Sequence, residues 1–313
     1  MDNFYSHICS IINDSFSFNG EKLCHYTSPK ALINILETKS LRFTDYRFLN
    51  DKTEGTYIYD VINSLDLSVY DEGFIKAIEN SKKRRFTISE IVSERLSHIQ
   101  NEDTYKVDTP YFYFICSFSE DCNNLAMWNY YTKTASGVGY NIVLYTKDLQ
   151  ENFSKSLSVD STKNTLFFKK IIYDEERQKS IIKTILDGYY REWIKSKNHE
   201  LLEENLHKTI DEVRMCFKNP CFALENEVRM IVKISYYEYK KILKSDGIIK
   251  INDKDGYFVP YMDLCFGETE DLARVTISPK GEYPFVNQSV RILLEKFGYR
   301  NAEITNSKIP LRW

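Results

Sequence analysis

The chain has 313 residues, 42% hydrophobic and 28% charged, with 11 Gly and 7 Pro, a globular balance that excludes collagen-like, low-complexity and disordered readings. It contains no apolar run of the roughly eighteen or more residues a membrane span needs, so no contact with a membrane is expected. Lys+Arg number 42 against 45 Asp+Glu, and the formal net charge of -3 argues against a chain-wide electrostatic grip on nucleic acid. The 23 Tyr and 19 Phe suit half-buried sheets and pockets that stack planar ligands.

The opening MDNFYSHICSIINDSF has no basic n-region and is not a signal peptide. The seven cysteines, at 9, 24, 116, 122, 216, 221 and 265, include no C-x-x-C pair. Reduced thiols in a bacterial-type cytoplasm are therefore expected, with no structural metal. Leu23 to Tyr26 reads as a short strand. Ser28 then caps a helix that has Pro29 at its first position and a buried stripe of Leu32, Ile35 and Leu36. Leu41 to Thr44 is a second strand. Asp51 and Glu54 resemble a capping box ahead of a helix with Ile58, Val61, Ile62 and Leu65 on one face.

Residues 71–101 read as helical spacers, with a stripe from Ile88 to Ile99 and a solvated basic turn over Lys82 to Arg85. Tyr111 to Ser119 is the clearest strand, followed by a helix over Asn123 to Tyr131 and strands over Gly139 to Tyr145 and Thr165 to Tyr173. Glu175 to Phe217 reads as two amphipathic helices. Strands return at Glu227 to Ile234, Gly247 to Ile251, Tyr257 to Met262 and Arg274 to Ile277. A last helix, Val286 to Phe297, stops at Gly298. With no repeat and no linker tract, one α+β domain is expected over residues 1–313, with helical insertions at about 66–105 and 175–215. A division near residue 174 is the lesser alternative.

No P-loop, G-x-G-x-x-G, H-E-x-x-H or G-x-S-x-G motif occurs. Four polar clusters at strand ends remain. His25, Tyr26, Thr27 and Ser28 present imidazole, hydroxyls and free backbone N–H groups at a helix N-terminus, which favours an anion. Asn50, Asp51 and Glu54 are placed at the rim of a cleft, although capping alone accounts for the two acids. Ser117 and Ser119 end a strand just before Trp128 and Tyr131, whose helical spacing also fits core packing. Glu225 and Glu227 stand two apart where a loop enters a strand; if both are extended, their carboxylates share a face, with Arg229 continuing it. A solvated strand edge explains the same pattern.

In this order the clusters LCHYTSPKALINIL, LRFTDYRFLNDKTE, ICSFSEDCNNLAMWNYY and KNPCFALENEVRM, with the ending SKIPLR, resemble a bacterial family known as domain of unknown function 2971. That resemblance implies a cytoplasmic effector or toxin of abortive infection or anti-phage defence, whose restraint is open between a regulatory or antitoxin partner and a closed loop near Asn50 to Glu54. The first strand and helix also resemble the opening of ADP-ribosyltransferases of the His-Tyr-Glu type. This second resemblance implies a split, mostly antiparallel sheet and NAD as substrate, cleaved at its nicotinamide–ribose bond. His25 would hold the adenine-side ribose and Glu227 the nicotinamide ribose, with Glu225 acting on the acceptor. Arg42 stands where that class has its first tyrosine and would contact a phosphate, while Tyr57 is the candidate for stacking. Tyr26, Thr27, Ser117, Ser119, Trp128, Tyr131 and Arg229 complete the implied site. The acceptor is open among protein, nucleic acid, a small molecule and water. Two other readings stand beside this one: a hydrolase using Cys116 or Cys24 with His25, and a non-catalytic nucleotide-sensing or partner-binding module.

Overall fold

The computed structural model describes residues 2–83, 111–132, 137–157, 165–244, 247–254, 256–281 and 285–310. The expected Ile88–Ile99 stripe and Arg84–Arg85 lie outside them. Helix α1 (Asp2–Phe16) leads into strand β1 (Lys22–Thr27). Ser28 then caps helix α2 (Pro29–Thr38), its Oγ accepting from the Ala31 amide at 3.3 Å, and the helix ends where Lys39 turns left-handed at φ 51°. Strand β2 (Ser40–Asp45) follows.

The next helix, α3 (Tyr57–Asn63), begins later than the capping-box reading requires, with Thr56 at its N-cap. Gly55 explains the difference. It sits at φ +67°, and a Cβ there would come within 2.7 Å of the Tyr46 ring, so a tight turn replaces the first helical turn. Asp51 instead closes its own turn, its Oδ1 accepting from the Thr53 amide and hydroxyl at 2.8 and 2.7 Å. Glu54 is left free to point elsewhere.

The remaining elements are α4 (Glu72–Lys83), β3 (Tyr111–Ser119), α5 (Leu125–Tyr131), β4 (Tyr140–Tyr145), α6 (Leu149–Ser156), β5 (Thr165–Lys170), α7 (Glu175–Trp193) and α8 (His199–Val213). They continue through β6 (Glu227–Ser235), α9 (Tyr236–Lys244), β7 (Lys250–Lys254), β8 (Tyr257–Cys265), β9 (Leu272–Ile277), α10 (Val286–Lys296) and β10 (Glu303–Asn306). The strand expected at Gly247–Ile251 is displaced along the chain because Gly247, at φ 103°, belongs to the preceding turn. Gly298, at φ 88°, follows α10 as a left-handed stop.

Among the described residues the strands form one open, mostly antiparallel sheet in which only β9 and β10 pair in parallel. Strand β3 is its hub. It pairs with β6 along its whole length, from Tyr111↔Ser235 to Ser119↔Glu227. On its other edge β2 meets it at Thr44↔Ile115 and Asp45↔Phe114, and β1 only at Cys24↔Ser119. Ser117 lies on β3 between those two points, where β1 and β2 diverge.

Alternation along the strands sorts the side chains into two faces. One face carries Leu23, Phe43, Phe114, Cys116, Phe118, Val228, Met230 and Val232, covered by α2, α6 and α10, and forms the main apolar core. A second core is helical. It joins α1, α3 and α4 to α7 and α8, and so draws residues from both sides of position 174. Among the described residues no helix is long and apolar enough to cross a membrane.

Candidate active site

The face of the sheet opposite the main core holds a cleft of about 280 Å³. Its floor is Ser117 of β3 with Glu227 and Arg229 of β6, and the rest of its lining comes from Thr44, Phe48, Leu49, Asn50, Glu54, Tyr130, Tyr131, Lys218 and Lys254.

Beneath the cleft is a network of five buried charges, Glu54, Lys218, Glu225, Glu227 and Arg229, none more than 6% exposed. The Arg229 guanidinium uses all five of its N–H groups. Nη1 and Nη2 donate to the two Glu54 oxygens at 2.6 and 2.9 Å, Nε and Nη2 to the two Glu227 oxygens at 2.9 and 3.0 Å, and Nη1 also to the Met215 carbonyl at 2.9 Å. Such planar forks match carboxylates in a way an ammonium cannot. The Lys218 ammonium joins Glu225 to Glu227, donating to Glu225 Oε2 and, at 3.1 Å, to Glu227 Oε2. Tyr131 donates to Glu225 Oε1 at 2.9 Å and accepts from Asn50 Nδ2 at 3.0 Å.

The carboxylates of Glu225 and Glu227 do converge, although by a different route from the one expected. Glu225 ends a 3₁₀ turn (Pro220–Glu225), Asn226 is left-handed at φ 47°, and only Glu227 is extended. The reversal at Asn226 brings both acids to one ammonium.

Three carboxylates face two cations, and the imbalance settles unevenly. Burial alone would raise Glu227, but the charges of Arg229 and Lys218, with hydrogen bonds from Arg229 and Ser117, hold it down to about 2. For Glu54 burial prevails over its Arg229 fork, and its pKa is raised. Lys218 loses by burial and gains more from Glu227 and Glu225, so it is raised and stays charged. The two acids therefore pull stability in opposite directions with pH. The contribution of Glu227 is complete above its ordinary value of 4.5 and is lost as pH falls towards about 2, on the order of 3 kcal/mol. That of Glu54 declines as pH rises from 4.5 towards its higher folded-state value. Denaturant unfolding between about pH 2 and 6 should show Glu227→Gln with a shallower acid limb than wild type. An unchanged slope would mean that Glu227 is not held ionised.

Several expected site residues lie elsewhere. His25 shares its face with Leu23 and Ile142, opposite Glu227, and packs edge-on against Phe118 at 5.9 Å. Its Nδ1 donates to the Ser117 carbonyl at 2.9 Å, and burial lowers its pKa, so it braces the cleft floor from behind. Thr27 lies on the His25 face as well. The N-terminus of α2 is on that side too, with Ser28 Oγ accepting from the Ala31 amide, and none of its residues lines the cleft.

Tyr26 faces the Glu227 side but spends its hydroxyl on the Asp121 carbonyl and the Asn124 amide, at 2.6 and 2.9 Å. Trp128 packs against Tyr26 at 4.7 Å and is buried in a small core. Ser119 is buried and donates to the Glu225 carbonyl at 2.7 Å, holding the Glu225 turn in place. Arg42 is half-exposed on β2, 3.7 Å above the Tyr261 ring and 3.7 Å from Asp263, outside the cleft. Tyr57 belongs to the helical core and cannot stack in the cleft. Asp51 is buried under the rim, while Asn50 and Glu54 reach the cleft.

Of the cysteines offered as nucleophiles, Cys116 is buried in the main core with its thiol pKa pushed up by burial. Cys24 is joined to Cys122 by a disulfide, with Cα atoms 5.4 Å apart, which corrects the expectation of reduced thiols for this pair. Lys218 is the central residue that the sequence reading missed, since nothing in a lone lysine before Asn-Pro marks it as a partner of two later acids.

Replacing Tyr131 by Phe removes the hydroxyl that ties Asn50 to Glu225, and should cost about 1–2 kcal/mol of stability in denaturant unfolding. A loss of less than a few tenths would show that the bridge is not made.

Residues 127–230 match the model of a family described as protein of unknown function (DUF2971). Over that span, a third of the chain, the sequence is similar to this family. The matched segment runs from α5 to β6 and contains Tyr131, Lys218, Glu225, Glu227 and Arg229, whereas His25, Arg42 and Glu54 precede it. No curated protein and no solved structure matches the chain.

Proposed function

We propose that the cleft binds a ribosyl compound of nucleotide type, NAD in the first instance, and cleaves its nicotinamide–ribose bond for transfer of ADP-ribose. The observation that carries this reading is the pair Glu225 and Glu227, meeting at one buried ammonium below an open cleft, with Glu227 held ionised. As nicotinamide leaves, positive charge develops on the ribose. A fixed carboxylate at the cleft floor stabilises that charge more than the ground state, as catalysis requires. Tyr130 and Tyr131 offer aromatic surface beside it. In this reading His25 supports Ser117 and does not touch the ligand, so the sheet is ADP-ribosyltransferase-like without that class's histidine role. The role as a defence effector or toxin, held by a partner until triggered, goes with this reading and rests on the family resemblance.

One observation favours a non-catalytic binding module instead. The Glu227 charge is already countered by Arg229 and Lys218, and no Arg229 donor remains for a ligand. The deciding experiment incubates the purified protein with NAD, alone and with cell extract, and follows both binding and nicotinamide release. Release supports transfer, binding without release supports the module, and neither would sink both readings.

A further inference from the structure

The turn between β3 and α5 leads directly into the helix that carries Tyr131. Tyr26 fixes its ends through Asp121 and Asn124. Ser119 accepts from the Asp121 amide at 3.2 Å while donating to the Glu225 carbonyl, and Asn124 Nδ2 donates to the Leu224 carbonyl at 2.7 Å. Helix α5 has only seven residues, too few to hold itself in place, so its position is set by this turn together with the packing of Met127 and Trp128. A single covalent link reaches the turn, from Cys24 in β1 to Cys122. Cys24 is fully buried, whereas Cys122 is only partly buried.

We propose that Cys24–Cys122 is a reversible thiol–disulfide centre, taking small-molecule thiols and disulfides as reactants, whose oxidation state sets how firmly α5 holds Tyr131 over Glu225. The unequal burial gives the order of events. A thiolate of the glutathione type attacks the accessible Cys122 sulfur, the protein S–S bond breaks, and its electron pair leaves on Cys24, which takes a proton. A second small-molecule thiolate attacks the non-protein sulfur of the mixed disulfide and releases Cys122 as a thiol. The balance is one protein disulfide and two small thiols giving two protein thiols and one small disulfide. Oxidation runs the same steps backwards, with Cys122 attacking the small disulfide and Cys24 resolving it. Hydrogen bonds from Tyr26, Ser119 and Asn124 remain after reduction, so the turn loosens while the sheet stays folded. This inference does not depend on NAD being the ligand.

The test uses the whole purified protein in native buffer with glutathione at set thiol-to-disulfide ratios. Differential alkylation with peptide mass spectrometry reports the two cysteines, and amide hydrogen exchange reports residues 120–131 against β6. The expected result is that both cysteines interconvert without denaturant, and that reduction speeds exchange in 120–131 by about tenfold while β6 is unchanged. Cys122→Ser should exchange at the reduced rate whatever the buffer, and Cys24→Ala serves the same purpose if the first variant fails to fold. Three results would each overturn the proposal: a disulfide that yields to thiol only after unfolding, free thiols that glutathione disulfide does not join, or exchange in 120–131 indifferent to the redox state.

Discussion

Arg229→Met is expected to destabilise the protein by at least about 3–5 kcal/mol, enough to unfold a domain of ordinary stability. The reason is what would be left behind. With the guanidinium gone, Glu54 loses both of its fork bonds and Glu227 two of its four, in a space where Arg229 itself is 0% exposed. Three carboxylates, Glu54, Glu225 and Glu227, would then be buried with Lys218 as the one remaining cation of the network. Arg229→Lys keeps the charge but has three N–H groups instead of five and no planar fork, so an intermediate loss is expected. Changing Glu54 and Glu227 to Gln together with Arg229→Met should recover part of the loss, because the damage lies in the unpaired charges and not in the missing volume. Urea unfolding midpoints measure all three variants. If Arg229→Met lay within about 1 kcal/mol of wild type, the network would not be holding β6 to the Glu54 turn.

That network also shows where sequence reading stops. The strands were legible because alternation and apolar runs are local, and the strands at 111–119 and 227–235 lie where those patterns put them. Helix α2 was legible for the same reason, from its cap, its proline and its stripe. Glu54 was not, because capping is a sufficient local account of an acid three residues after an aspartate, and only the long-range fork to Arg229 distinguishes the two. His25 was misplaced by proximity. It adjoins Tyr26 in the chain, yet consecutive strand residues face opposite ways, and nothing in the sequence says which of the two faces Glu227. Cys24 and Cys122 are 98 residues apart, and their pairing depends on the single register contact between β1 and β3. Residues whose role depends on one local element were readable. Those whose role depends on register between distant strands were not.

Glu227→Gln should leave a folded protein whose release of nicotinamide from NAD falls by at least about 10²–10³-fold, the usual consequence of removing one group aimed at developing charge. Folding survives because the amide oxygen can take the Oε2 position, accepting from Arg229 Nη2 and Lys218 as the carboxylate does. The bond lost is the one from Arg229 Nε, which then faces an NH₂ group, at a cost of about 1–3 kcal/mol. The substitution also leaves two carboxylates, Glu54 and Glu225, against Lys218 and Arg229, so it relieves the surplus negative charge and creates no unpaired ion. The transition state gains nothing from that balance. An amide presents no charge to a ribose cation, and the remaining carboxylate near the floor, Glu225, is turned towards Tyr131 and Lys218. On the defence reading, expression of the wild-type chain without its partner slows growth, and the Glu227→Gln chain does not. Both variants are compared at equal soluble amount, with folding checked by circular dichroism and unfolding midpoint. Equal nicotinamide release and equal growth inhibition by the folded variant would remove Glu227 from the chemistry and leave the cleft as a binding site only.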